Sequence, residues 1–136
     1  AMSRSIVAIG PTGSGALLKL INNFLCGVQA GSFAETLALI ERSGLDRDKA
    51  FEILTGGAPG SGVMKTVVPR MSAREFTPIF RLSLMAKDPA YSVAEARTHG
   101  VQLAMVEAAL EQFKRAMADG VGDKDFSAVI EPLRKR

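Results

Sequence analysis

Residues 14–44 read SGALLKLINNFLCGVQAGSFAETLALIERSG, a stretch without proline that closes at Gly44. Apolar residues recur through it at helical spacing, and a glycine is the usual stop for such a run. The pattern predicts one long helix from Ser14 to Ser43. At about 1.5 Å per residue it would span about 45 Å, longer than a compact helical domain of this size needs. Upstream, Ser5–Ile9 (SIVAI) reads as a short strand, followed by the turn Gly10-Pro11-Thr12-Gly13-Ser14-Gly15. A single strand cannot satisfy its own backbone groups, so the expected strand would borrow a sheet that this chain does not supply.

Downstream, glycines and prolines divide the chain into shorter helices. Asp46 is placed to cap a helix through Leu54 that ends at Gly56-Gly57. A helical segment follows at about Val63–Ala73, with a break or kink expected at Pro69. Phe76–Phe80 reads as an apolar connector. Further helices are expected over Leu82–His99, ending at Gly100, and Leu103–Asp119, ending at Gly120. Asp125 can cap a final short helix from Phe126 onward. The fold class is therefore all-α, with about six helices, a long first one and an orphan strand in front. Residues 1–12 form a leader of tag remnant, strand and Gly-rich hinge. Residues 13–136 form the helical domain.

Composition agrees. The chain has 136 residues, 47% of them hydrophobic, with no Trp and one Tyr. That favours packed helices over aromatic-rich sheets. The net charge of +3 arises partly from the tail Leu133-Arg134-Lys135-Arg136, read as a solvated helix end. No basic stripe interleaved with aromatics marks a nucleic-acid site. Cys26 is the only cysteine, which excludes an intrachain disulfide and favours a reducing, cytoplasmic compartment. Polar residues interrupt Ala16–Ile40, against a membrane span. No His/Cys/Asp/Glu grouping has metal-ligand spacing, so no metal is expected. His99, four residues after Glu95, reads as a helix-terminal side chain facing solvent or that carboxylate.

Chemistry concentrates near the start of the long helix. The Gly-rich turn fails as a phosphate-binding P-loop, because Ala16 and Leu17 stand where Lys and Ser/Thr are needed. It fails as a dinucleotide turn too, because Leu18 occupies the position requiring a small residue. Lys19, Asn22 and Asn23, by contrast, fall at i, i+3 and i+4, so their side chains converge on one helix face, and Cys26 continues the row. A lysine set among apolar neighbours and partly desolvated can have its pKa lowered, which suits it to exchange a proton with a substrate oxygen. The plainer reading is a snorkelling lysine beside two asparagines at a wet edge.

Gly10-Pro11-Thr12-Gly13-Ser14-Gly15, Lys19 and Asn22-Asn23 resemble the G-x-x-G-x-G-x-x-x-K-x-x-N-N signature of β-hydroxyacid dehydrogenases. This family is typified by 3-hydroxyisobutyrate dehydrogenase, within the broader 6-phosphogluconate dehydrogenase-like group. The likeness continues in order through Glu35, Ala38, Gly44-Leu45-Asp46, Ser61, Pro69-Arg70-Met71, Phe76–Phe80, Lys87-Asp88 and Gly120–Asp125. The resemblance implies NAD- or NADP-dependent oxidation of a 3-hydroxy acid, or reduction of the corresponding semialdehyde, by a homodimer or homotetramer. Lys19 would be the catalytic lysine and Asn23 would hold substrate and orient it. Asn22 is a further substrate-binding candidate, and Lys87 would contact the cofactor. Two departures stand out. Pro89 occupies a place the family fills with a helix former, and predicts a kink or a restart at Asp88. The family's dinucleotide-binding domain would have to precede Ser5, so the helical chain is not expected to be active alone. An imine reductase of similar fold is the alternative enzyme, with Lys19 arguing against it. A helical oligomerisation module without chemistry is the alternative of a different class.

Overall fold

Two glycines in the left-handed region bound the first helix: Gly13 (φ 96°) before it and Gly44 (φ 78°) after it. Side chains rarely adopt that conformation, so glycine fixes both ends. The computed structural model describes residues 8–135 and is helical. In order come α1 (Ser14–Ser43), α2 (Arg47–Gly56), α3 (Gly62–Ala73), α4 (Leu82–Thr98) and α5 (Ala104–Ala118). A 3-10 turn (Phe126–Ile130) then leads into the short α6 (Glu131–Arg134). Residues 5–7 of the expected strand lie outside the described residues, and Ala8 and Ile9 are not in a strand. Among the described residues, no helix is long and apolar enough to cross a membrane.

α1 is the axle, and α3, α4, α5 and the 3-10 turn all pack against it. Small residues at Gly27, Ala30, Gly31, Ala34 and Ala38 are buried along its second half, which lets neighbouring helices approach closely. A Cβ on Gly27 would lie 3.4 Å from Met85 Sδ and 3.7 Å from both Phe113 and Pro89. Phe33, Leu37 and Ile40 complete the α1 contribution to a core shared with Val67, Met71, Leu82, Phe113 and Ile130. Asp46 and Ser61 cap α2 and α3 by accepting from the backbone N–H of Lys49 and Met64. Each such cap contributes about 1 kcal/mol.

Three expectations need correction. Pro69 does not break α3, which runs unbroken from Gly62 to Ala73; the carbonyl deprived of a donor belongs to Lys65, an exposed residue. Pro89 does not restart α4, and Asp88 is not a cap. The Pro89 ring is buried beside Gly27, and this packing offsets the one hydrogen bond that proline removes. The tail is not simply solvated. Arg134 forms ion pairs with Glu41 (2.6 Å) and Glu131 (3.0 Å) and donates to the Met71 carbonyl, tying α6 to α1 and α3.

Asp125 organises the approach to α4. Its buried carboxylate accepts from the backbone N–H groups of Ile79 (2.9 Å) and Phe80 (3.2 Å). It also accepts from Ser127, through both backbone and hydroxyl. Backbone bonds from Asp125 to Phe76 and from Phe126 to Phe80 close the same junction. The connector before α4 is therefore clamped to the 3-10 turn, and the start of α4 is fixed relative to α1.

Candidate active site

The polar row lies on the half of α1 that the core does not bury. Burial begins at Gly27; before it, Lys19 and Asn22 are exposed while Asn23 and Cys26 are half-buried. The apolar surroundings expected of this row are only partly supplied by the described residues. Leu18 and Leu25 are 49% and 50% exposed. Leu17, Leu20, Ile21 and Phe24, on nearly the opposite face, line a groove of about 270 Å³ against α4. Lys19 thus stands in the open, and among the described residues its ammonium meets no carboxylate.

Asn23 is the anchored member. Its Nδ2 donates to Asp88 Oδ2 on α4 at 2.5 Å, and its Oδ1 accepts from Asn22 Nδ2 at 3.3 Å. Ser92, one turn beyond Asp88, is buried; its hydroxyl donates to the Asp88 carbonyl at 2.9 Å and lies 3.4 Å from the Leu20 carbonyl. α1 and α4 are therefore joined by polar contacts at the level of the row. Lys87, next to Asp88, is exposed, with Nζ 5.7 Å from the centre of the Tyr91 ring. The unbroken α4 presents Lys87 on a face adjacent to that of Asp88, since successive helical residues are about 100° apart.

The structure brings together Asn22, Asn23 and Asp88, with Lys19 one turn before Asn23 and Lys87 one residue before Asp88. In sequence, Asp88 reads locally as a helix start and belongs to the Lys87-Asp88 pair of the resemblance, with no role of its own. The signal that could have found it is the repeat of polar residues on a second helix whose other side chains, Met85, Ala86 and Pro89, are core. Burial pushes the Cys26 thiol up, away from the thiolate form. His99 lies 3.2 Å from Glu95, exposed, as expected of a helix end. Among the described residues, no group of three or more His, Cys, Asp or Glu could hold a metal ion.

On the described residues, then, one helical wall carries two exposed lysines and two side-chain amides. Residues 13–133 match the family model described as NAD-binding of NADP-dependent 3-hydroxyisobutyrate dehydrogenase. The chain belongs to the 3-hydroxyisobutyrate dehydrogenase family of NAD(P)-dependent oxidoreductases. It is 37% identical over 126 residues to glyoxylate/succinic semialdehyde reductase 1 of Arabidopsis thaliana, covering 93% of this chain and 44% of that protein. It is 30% identical over 135 residues to 3-sulfolactaldehyde reductase of Escherichia coli, covering 98% of this chain and 45% of that one. The structure of Mycobacterium tuberculosis 3-hydroxyisobutyrate dehydrogenase with L-serine superposes with a TM-score of 0.85 at 28% identity, over 96% of this chain and 47% of that one. The chain thus spans under half the length of these relatives.

The cofactor of the family is NAD(P), and the donor set fits a share in holding it. Lys87 and Lys19 offer exposed cations to phosphate or carboxamide oxygens. The first turn of α1 carries no acidic residue and no side-chain cap, so it does not repel an anion. No strand occurs among the described residues.

Proposed function

We propose that this chain supplies the proton-transfer wall of an NAD(P)-dependent enzyme that oxidises a small 3-hydroxy acid of the 3-hydroxyisobutyrate type, or reduces the matching semialdehyde. The observation that carries the reading is the placement of Lys19, exposed and with no carboxylate partner among the described residues, one turn before an Asn23 braced against α4. The relatives' names support the coarser class, a short aldehyde that carries an acidic group. Glyoxylate, succinic semialdehyde and sulfolactaldehyde are all short aldehydes bearing an acidic group, and L-serine is a 3-hydroxy acid. Two lysines and two side-chain amides suit such anions.

In the direction of reduction, the Lys19 ammonium gives a proton from Nζ to the carbonyl oxygen, and the product carries a hydroxyl there. In oxidation the same Nζ takes that proton back. Bound NAD(P) supplies or receives the hydride at the carbon. Asn23 holds the substrate and orients Lys19, Asn22 adds a second amide to substrate binding, and Lys87 reaches the cofactor. Because the chain presents one wall, it is inactive by itself.

The exposed Leu25, Leu39, Leu45 and Ile53 support self-association as a homodimer or homotetramer, which sedimentation would test. The single cysteine supports a reducing, cytoplasmic setting. The deciding experiment is Lys19→Ala in the full-length enzyme, assayed with glyoxylate, succinic semialdehyde and 3-hydroxyisobutyrate. Loss of a positioned general acid–base group predicts a fall in kcat of about 10²–10⁴-fold. Unchanged rates in the variant would remove Lys19 from the chemistry. Preferential turnover of cyclic imines by the wild-type enzyme would instead favour imine reduction.

A further inference from the structure

We infer that Asp88 is a positioning residue that sets which end of the Asn23 side-chain amide faces the Lys19 turn. The inference rests on the reading of Lys19 and Asn23 as site residues and adds a device that makes them work together.

The argument begins with the ambiguity of an amide. Asn carries an oxygen acceptor and a nitrogen donor of nearly equal shape, and without a constraint either end can face the site. An ionised carboxylate only accepts hydrogen bonds. With Asp88 Oδ2 2.5 Å from the Asn23 amide, the nitrogen must be the end turned towards α4. The opposite orientation would set two oxygen acceptors against each other, which disfavours it strongly.

Fixing Nδ2 on α4 leaves Oδ1 on the other side, where it accepts from Asn22 at 3.3 Å. That distance is long for a hydrogen bond, and a carbonyl oxygen has two lone pairs, so Oδ1 retains capacity for a second donor. Side chains on a helix lean towards its N-terminus, so the Asn23 side chain leans back over the turn that carries Lys19. The acceptor is therefore presented where the Lys19 ammonium or a substrate hydroxyl can meet it. With the amide reversed, an N–H would point at an ammonium, and both would be donors.

The surroundings of Asp88 support this role. Its backbone carbonyl accepts the buried Ser92 hydroxyl, and the next residue, Pro89, is buried beside Gly27 of α1. The carboxylate is thus mounted at a helix crossing that is packed on one side and bonded on the other. A carboxylate held this way orients its partner without having to touch substrate.

The test uses the 136-residue chain, labelled with ¹⁵N and ¹³C. The expected result is a scalar coupling across the hydrogen bond between Asn23 Nδ2 and the carboxyl carbon of Asp88, together with one Asn23 amide proton displaced downfield. In Asp88→Leu the displacement should vanish; in Asp88→Asn, which keeps an oxygen acceptor, about half should remain. A downfield proton that persists in Asp88→Leu overturns the inference. If Asp88→Leu does not fold, the wild-type coupling and Asp88→Asn still decide, and absence of the coupling also overturns it. In the full-length enzyme, Asp88→Leu should lower kcat by about 10–100-fold, as misplacing an aligned group does, leave the KM for cofactor within a few-fold, and be partly rescued by Asp88→Asn. A kcat within two-fold of wild type overturns the positioning role. If Lys19→Ala keeps full activity while the coupling is present, the proton-transfer reading fails and the amide orientation stands. If Lys19→Ala is inactive and the coupling is absent, only the inference about Asp88 fails.

Discussion

Replacing Asp125 with alanine should destabilise the chain more than changing any other single polar residue described above. The carboxylate is fully buried and accepts from four donors: the Ile79, Phe80 and Ser127 backbone N–H groups and the Ser127 hydroxyl. Arg70 Nε lies 3.3 Å away as a charge partner, although it is not aligned to donate. A hydrogen bond to a charged group contributes about 1.5–3 kcal/mol, so a simple sum over four would exceed 6 kcal/mol. The sum overstates the loss, because Ile79 is exposed and water can reach its freed N–H. Breaking a buried charge pair costs about 3–5 kcal/mol, which is the expected loss here. For a chain of this size that lowers the melting temperature by about 10–20 °C. The effect should depend on pH. Burial alone pushes the carboxyl up, but hydrogen bonds from Ser127, Ile79 and Phe80 outweigh it and hold the pKa below the ordinary value, about 3.9 for aspartate. A lowered folded pKa gives stability that is present above the unfolded value and lost as the pH falls through the folded one. The gap between wild type and Asp125→Ala should therefore be constant above about pH 5 and shrink below about pH 4. Urea unfolding followed by circular dichroism across this range measures it. A loss under about 1 kcal/mol at pH 7, or a gap that does not narrow in acid, would refute the clamp.

Other substitutions probe the frame around the site. Arg134→Ala removes ion pairs to Glu41 and Glu131 and a bond to the Met71 carbonyl; with side chains largely covered, it should cost about 2–3 kcal/mol in chemical denaturation. The Arg134 hydrogen bond is the main cause that holds Glu41 below the usual carboxylate range, so the variant should return the Glu41 carboxyl signal towards ordinary titration by NMR. Gly60→Ala would put a Cβ 2.1 Å from the Thr55 carbonyl oxygen, and forcing backbone apart should cost about 1–3 kcal/mol in thermal melts. Gly31→Ala meets only the end of the Gln112 side chain. There the helix propensity of alanine, worth about 1 kcal/mol, should nearly offset the lost Gln112–Glu35 bond and leave the melting temperature little changed.

Much of the fold was legible because its boundaries are made by local chemistry. Gly13, Gly44, Asp46 and the Asp125 cap on Ser127 act within a few residues of themselves, and a sequence displays such signals directly; the Asp125 bonds to Ile79 and Phe80, 46 and 45 positions away, were not legible. The prolines were misread for the opposite reason. Their cost depends on what surrounds the helix, and nothing adjacent to Pro89 in sequence reveals that Gly27 makes room for its ring. Arg134 was misread likewise, since its partner Glu41 is 93 positions away. At the site, the Lys19-Asn22-Asn23 row was visible as helical spacing, and its placement on α1 follows from that spacing alone. The Asp88 brace was not visible, because the contact spans 65 positions and Asp88 before Pro89 mimics a helix start.

The division of α1 explains where that brace falls. From Gly27 onward the helix is core, held by α3, α4 and α5, and side chains there cannot reach a substrate. Before Gly27 the helix extends out of the core, with Leu18 and Leu25 half exposed and contact chiefly with α4. A residue far out on such an arm is accessible but loosely aimed; one near its root is well aimed but covered. Asn23 stands one turn before burial begins, the last polar position before Cys26 and the core, and it is there that α4 contributes a carboxylate. Lys19, a turn farther out, gains reach from its long side chain, and on the proposed reading Asn23 is the aimed neighbour it needs. A helix that was only a packing element would have no use for a carboxylate bonded to an amide at this crossing, since an apolar pair would join two helices at lower desolvation cost. On the proposed reading the polar brace is a device for orientation, located where the buried half of α1 meets the exposed half.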